Sequence, residues 1–128
     1  MSHHARIAHA NIHLALDYLE TARDAAEQAG GPGPLSLEID RIHLEVKRAV
    51  YDLTVGSWTS AEAALQSALG PVSHLAQSQA RGKRQRAKMG FLERQAGVIL
   101  EQLVSARKAI RAALLNLRLR KGRAGSGG

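Results

Sequence analysis

MGFLERQAGVILEQLVSARKAIRAALLNLRLRK, residues 89–121, decides the fold. Met89, Leu92, Ala96, Ile99, Leu103, Ala106, Ile110, Ala113 and Leu117 step by alternating three and four residues. Side chains at that spacing share one stripe of an α-helix, and a heptad stripe held this long is the seam of a bundle. The pattern predicts a helix over 85–121, roughly 50 Å long at 1.5 Å per residue.

Three further helical segments precede it. Over 5–29, Ile7, Asn11, Leu14, Tyr18, Ala22, Ala25 and Ala29 read as the buried stripe, with Arg6, His9, His13, Asp17, Glu20, Asp24 and Glu27 on the polar side. Gly30-Gly31-Pro32-Gly33-Pro34 ends that helix, since glycine accepts a left-handed cap and proline cannot continue the ladder. Over 35–55, Leu35, Ile39, Ile42, Val46, Ala49 and Leu53 form a seam beside the alternating charges Glu38, Arg41, Glu45, Arg48 and Asp52. Gly56 stands where a cap is expected. Thr59 followed by Glu62 matches a capping box, with Trp58 as a staple. The third helix then runs to about Gly82, with a kink or break predicted at Gly70-Pro71.

Short loops make consecutive helices antiparallel neighbours. The expected fold is all-α: an up-down-up-down four-helix bundle over residues 1–123, with 124–128 as a flexible Gly/Ser tail. The fourth helix outruns partners of about 32–38 Å. Its excess is expected to project, to fray or to pack against another copy. Leu115 and Leu119 fall off the bundle stripe, which points to an interface and a homo-oligomer.

Composition agrees with helices. The chain has 22 Ala and 17 Leu but only four aromatic residues, and strands favour the aromatic and β-branched types. With no cysteine, a disulfide framework and a thiolate metal site are excluded. No apolar run approaches the ~20 residues of a membrane span, so a cytoplasmic location is the expectation. No catalytic motif emerges. The chain reads as non-enzymatic, without a cofactor.

Charge is divided unevenly. Residues 1–64 hold 5 Lys/Arg against 9 Asp/Glu, whereas residues 65–128 hold 13 against 2. A basic half predicts an anionic partner. RGKRQRAK supplies Arg81, Lys83, Arg84, Arg86 and Lys88, read here on a loop and helix start, where cations oppose the helix dipole. Arg118, Arg120, Lys121 and Arg123 gather near the C-terminus, and Arg107, Lys108 and Arg111 partly bridge the two clusters. Without interleaved aromatics, nucleic acid would be held by its backbone, largely irrespective of sequence. An adaptor docking an acidic protein is the alternative.

A third possibility is a metal. His9, His13 and Asp17 follow one helix face at i, i+4 and i+8, the spacing that presents two imidazoles to one ion. Asp40 and His43 have the i, i+3 spacing of carboxylate di-iron bundles, in a single copy. Ser2-His3-His4 has the form of an N-terminal Cu(II) or Ni(II) binder. In size, charge and its basic glycine-containing tail RLRKGRAG (118–125), the chain is similar to the short basic four-helix bundles that serve reverse transcriptases of diversity-generating retroelements. That likeness covers under a tenth of its length.

Overall fold

The computed structural model describes the backbone of residues 2–86 and 91–126, and the side chains of residues 2–82 and 95–120. The chain forms four helices: α1 (His3–Gly30), α2 (Pro34–Thr54), α3 (Trp58–Arg86) and α4 (Phe91–Ser126). Gly31 and Gly56 end α1 and α2 with φ of +72° and +79°, the left-handed region that a side chain disfavours.

Local hydrogen bonds explain the starts. The Ser2 hydroxyl accepts the Ala5 N–H at 3.2 Å, so α1 begins two residues before the sequence stripe suggests. The Ser36 hydroxyl accepts from the Gly33 N–H and donates to the Gly33 carbonyl, both at 3.0 Å, which fixes the entry to α2. At α3 the Ser57 carbonyl accepts the Ala61 N–H at 3.0 Å. Thr59 therefore lies inside the first turn, and the expected Thr59–Glu62 capping box gives way to a helix starting at Trp58.

Of the kink or break expected at Gly70-Pro71, the break does not occur: the helix is continuous there. A helical proline forfeits one backbone hydrogen bond. Pro71 itself is exposed, while Ala61, Leu65, Ala68, Val72, Leu75 and Ala76 bury one face on both sides of it. That continuous burial outweighs the lost bond.

Among the described residues each helix packs on two others: α1 on α2 and α4, and α3 on α2 and α4. The diagonals do not meet. This is the up-down-up-down ring. In α4 the expected seam from Ala96 to Leu117 is buried; Met89 and Leu92 lie outside the described side chains. In α1 the seam is displaced. Ala5, Ala8, Ile12, Ala15, Leu19, Ala22 and Ala26 are buried, whereas Leu14 is exposed. Alanine has no bulk to hold helices apart, so α1 and α4 form the most extensive packing of the four pairs. Asp52, expected among the exposed charges of α2, is buried, and its Oδ2 has no hydrogen-bond partner.

His4 Nδ1 donates to Asn116 Oδ1 at 3.2 Å, which sets the level of α1 against α4. The α4 backbone runs ten residues further to Ser126, about 15 Å. The overhang is therefore at the C-terminal end, and residues 124–126, read as tail, belong to the helix. No helix of the described residues is long and apolar enough to cross a membrane.

Candidate nucleic-acid interface

The ring order turns an uneven sequence into two unlike layers. α1 and α2 lie side by side and hold Asp17, Glu20, Asp24, Glu27, Glu38, Asp40, Glu45 and Asp52. Beyond Glu62, α3 has no acidic residue, and α4 has only Glu93 and Glu101.

Three of these carboxylates are paired within the layer. Arg23 donates to Asp40 at 3.4 Å and to Asp24 at 3.5 Å, and His43 pairs with Glu20 at 3.0 Å. Burial works against the Arg23 charge, yet hydrogen bonding and attraction from Asp40, then Asp24, hold its pKa above the ordinary value. Asp40 and His43 are thereby each engaged with α1 instead of with a shared ion.

The basic layer is different. Arg107, Arg111 and Arg118 fall four and seven residues apart, on one stripe of α4 beside α3. Arg118 donates from Nε to Glu62 Oε1 at 3.4 Å and from Nη2 to Gln66 Oε1 at 3.0 Å. Arg107, Lys108 and Arg111 make no ion pair among the described residues, and the buried Nε of Arg107 has no partner. Lys108 and Arg111 are exposed. Arg120 lies 3.8 Å from the centroid of the Trp58 ring, a cation–π stack between the start of α3 and the end of α4.

The first basic cluster sits where the sequence reading did not put it. Residues 81–86 form the last turns of α3, not a loop and helix start. The effect of the dipole changes sign with the placement, because a helix C-terminus favours cations. Arg81 is exposed; the side chains of Lys83, Arg84, Arg86, Lys88, Lys121 and Arg123 lie outside the described residues. The antiparallel order places the clusters of α3 and α4 at opposite ends of the bundle.

Of the proposed metal ligands, His9 and His13 come together. Their Nε2 atoms are 3.3 Å apart, and their rings meet edge to face at 4.5 Å. Burial, then the neighbouring His13, lowers the His9 pKa. Asp17 is exposed one turn on, and no group of three or more His, Cys, Asp or Glu side chains is arranged for a metal among the described residues. His3 already belongs to α1 and His4 is bonded to Asn116, an arrangement at odds with a square-planar N-terminal site, which must wrap the backbone round its ion. A groove of about 410 Å³ between α2 and α3 is lined by Glu38, Arg41, Glu45 and His74, whose mixed charges offer a polyanion nothing.

Sequence reasoning missed the Trp58–Arg120 stack and the Asn116 bond. Both join residues more than sixty apart, and no local pattern announces them. The chain matches no protein-family model, and no curated protein or solved structure is similar to it.

Proposed function

We propose that this protein is a non-enzymatic bundle that binds nucleic acid by its phosphate backbone, through the layer made by α3 and α4. The supporting observation is the segregation of charge: the α1–α2 layer holds eight carboxylates, whereas the α3–α4 layer carries Arg107, Lys108 and Arg111 with no ion pair among the described residues. Each such cation near a phosphate releases condensed counterions. Tyr18 and Tyr51 lie in the acidic layer and Trp58 is covered by Arg120, so the described residues offer no stacking platform. Recognition would follow backbone shape and charge, not base sequence.

Leu115 and Leu119 are exposed on the outward side of α4. Neighbouring Lys108, Arg111 and Arg118 would repel the same face of a free copy. Copies sharing one polymer would have that repulsion neutralised, and the leucines would then pack between them. This predicts cooperative binding.

The test is a salt titration with duplex and single-stranded oligonucleotides. Affinity should fall with a log–log slope of roughly −0.9 per phosphate engaged on duplex. No binding at about 50 mM salt sinks the reading and favours an acidic protein as the partner. A second reading, a metal site at His9 and His13, rests on their 3.3 Å separation. Two nitrogens bound tetrahedrally to one Zn²⁺ are also about 3.3 Å apart. Zn²⁺ should then raise the melting temperature, and His13→Ala should abolish the gain.

A further inference from the structure

Gly70 and Pro71, the two poorest helix formers, stand side by side within α3, and both are exposed. A Cβ added at Gly70 would meet nothing within 4 Å, so no close approach requires a glycine there. Pro71 brings no N–H, so the Ser67 carbonyl one turn back has no helical hydrogen bond. The packing of the bundle explains neither residue. Both line one groove of about 410 Å³ between α2 and α3, within the size range of small-molecule sites.

The groove has an apolar floor and both signs of charge on its α2 wall. Ile42 and Ala68 are buried at its base, and Pro71 forms one side. Arg41 lies three residues after Glu38 and four before Glu45, spacings at which ion pairs close along a helix. It pairs with neither carboxylate, so the three charges stand apart. The antiparallel order of α2 and α3 sets half-buried Glu45 near the level of the Ser67 carbonyl, and Arg41 near that of Pro71. Acceptors alone meet at the Glu45 end. The guanidinium donors follow four residues along, about 6 Å away. Glu38 and His74 close the far end, beyond Arg41.

We infer that this groove binds a small zwitterion, an ω-amino acid, with its ammonium on Glu45 and the Ser67 carbonyl and its carboxylate on Arg41. An ammonium has three N–H donors for those acceptors, and the guanidinium fork grips a carboxylate through two parallel bonds. The aliphatic chain lies over Ile42, Ala68 and Pro71. Five bonds from nitrogen to carboxyl carbon span about 6 Å, whereas the two bonds of an α-amino acid fall well short. A dication would set a charge against Arg41, and a dianion would set one against Glu38 or Glu45. The site lies apart from Arg107, Lys108 and Arg111 and stands independently of nucleic-acid binding.

Calorimetric titration with δ-aminovalerate tests it, with pentylamine, pentanoate and glycine as controls. δ-Aminovalerate should bind at least roughly tenfold more tightly than any of the three, because each control loses a charge-assisted contact. Arg41→Gln should reduce its affinity to that of pentylamine, and Glu45→Gln to that of pentanoate. Gly70→Leu grows into the open space and should abolish binding while raising the melting temperature, leucine being the far better helix former. Joint replacement of Arg107, Lys108 and Arg111 by Gln should leave binding unchanged. No binding at millimolar δ-aminovalerate overturns the inference. So does equal binding of pentylamine, or binding that survives Gly70→Leu.

Discussion

In α1 and α2 carboxylates outnumber Lys and Arg eight to five, and where the helices meet Arg23 sits between Asp24 and Asp40 and His43 meets Glu20. In α3 and α4 Arg118 finds Glu62, while Arg107, Lys108 and Arg111 crowd within little more than one turn. Like charges at that spacing cost a helix a few tenths of a kcal/mol per pair. With carboxylates in excess the first hairpin is closed to an anion, and the second, with cations in excess, is open. An open arrangement persists because the seam beneath it is strong enough to hold repelling cations in place, which makes the surface ready for an anion before one arrives.

The largest effect should come from that seam. Leu103→Ala and Ile110→Ala should each cost ~2–5 kcal/mol in urea unfolding, since both are fully buried, whereas Leu115→Ala on the exposed side should cost under about 0.5 kcal/mol. If the three changes cost alike, the cations do not rest on a rigid support and the contrast fails.

Next in size is the charge itself. Replacing Arg107, Lys108 and Arg111 together by Gln should weaken duplex binding about tenfold or more and flatten the salt slope by roughly 0.9 for each phosphate no longer neutralised. Glu20→Gln with Asp24→Gln in the closed hairpin should leave binding no weaker. Fluorescence anisotropy over a range of salt concentrations measures both.

Smaller still are the ion pairs. Arg23→Ala and Arg118→Ala should each lower stability by about 0.2–1 kcal/mol, the range of solvent-screened pairs. Arg23, with two carboxylates, should lose more, and the gap should narrow in high salt. A larger loss at Arg118 would show the open hairpin to be the better paired of the two.

The smallest effect concerns protons. His9 has a depressed pKa in the folded chain, so on acidification the unfolded state takes up its proton first. Stability should therefore decline as pH falls from about 6.5 to the lowered folded value, then level off. His9→Gln should flatten that portion of a stability-against-pH curve. An unchanged slope would mean that the crowding of His9 and His13 carries no free energy.

Legibility followed side-chain size. The α4 seam could be read because Ile99, Leu103, Ile110 and Leu117 mark it with bulk. The α1 seam could not, because five of its seven members are alanine and the larger Leu14 and Tyr18 drew the stripe to the wrong side. Helix-breaking signals did not end α3: burial on both sides carries it through Gly70-Pro71, and Gly82 also lies inside it. The continuation past Gly82 moved residues 81–86 from a helix start to a helix end. The cations were countable from the sequence, but their gathering into one layer depends on which helices sit side by side.

The stack of Arg120 on Trp58 gives the molecule a built-in optical reporter. Trp58 is the only indole in the chain, so its emission reports one place alone, the junction of the α3 start with the α4 end. A phosphate that draws Arg120 away uncovers the ring to water and should shift its emission to the red. Binding at the C-terminal basic cluster then becomes visible without a dye, while binding confined to the opposite end of the bundle leaves the spectrum unmoved.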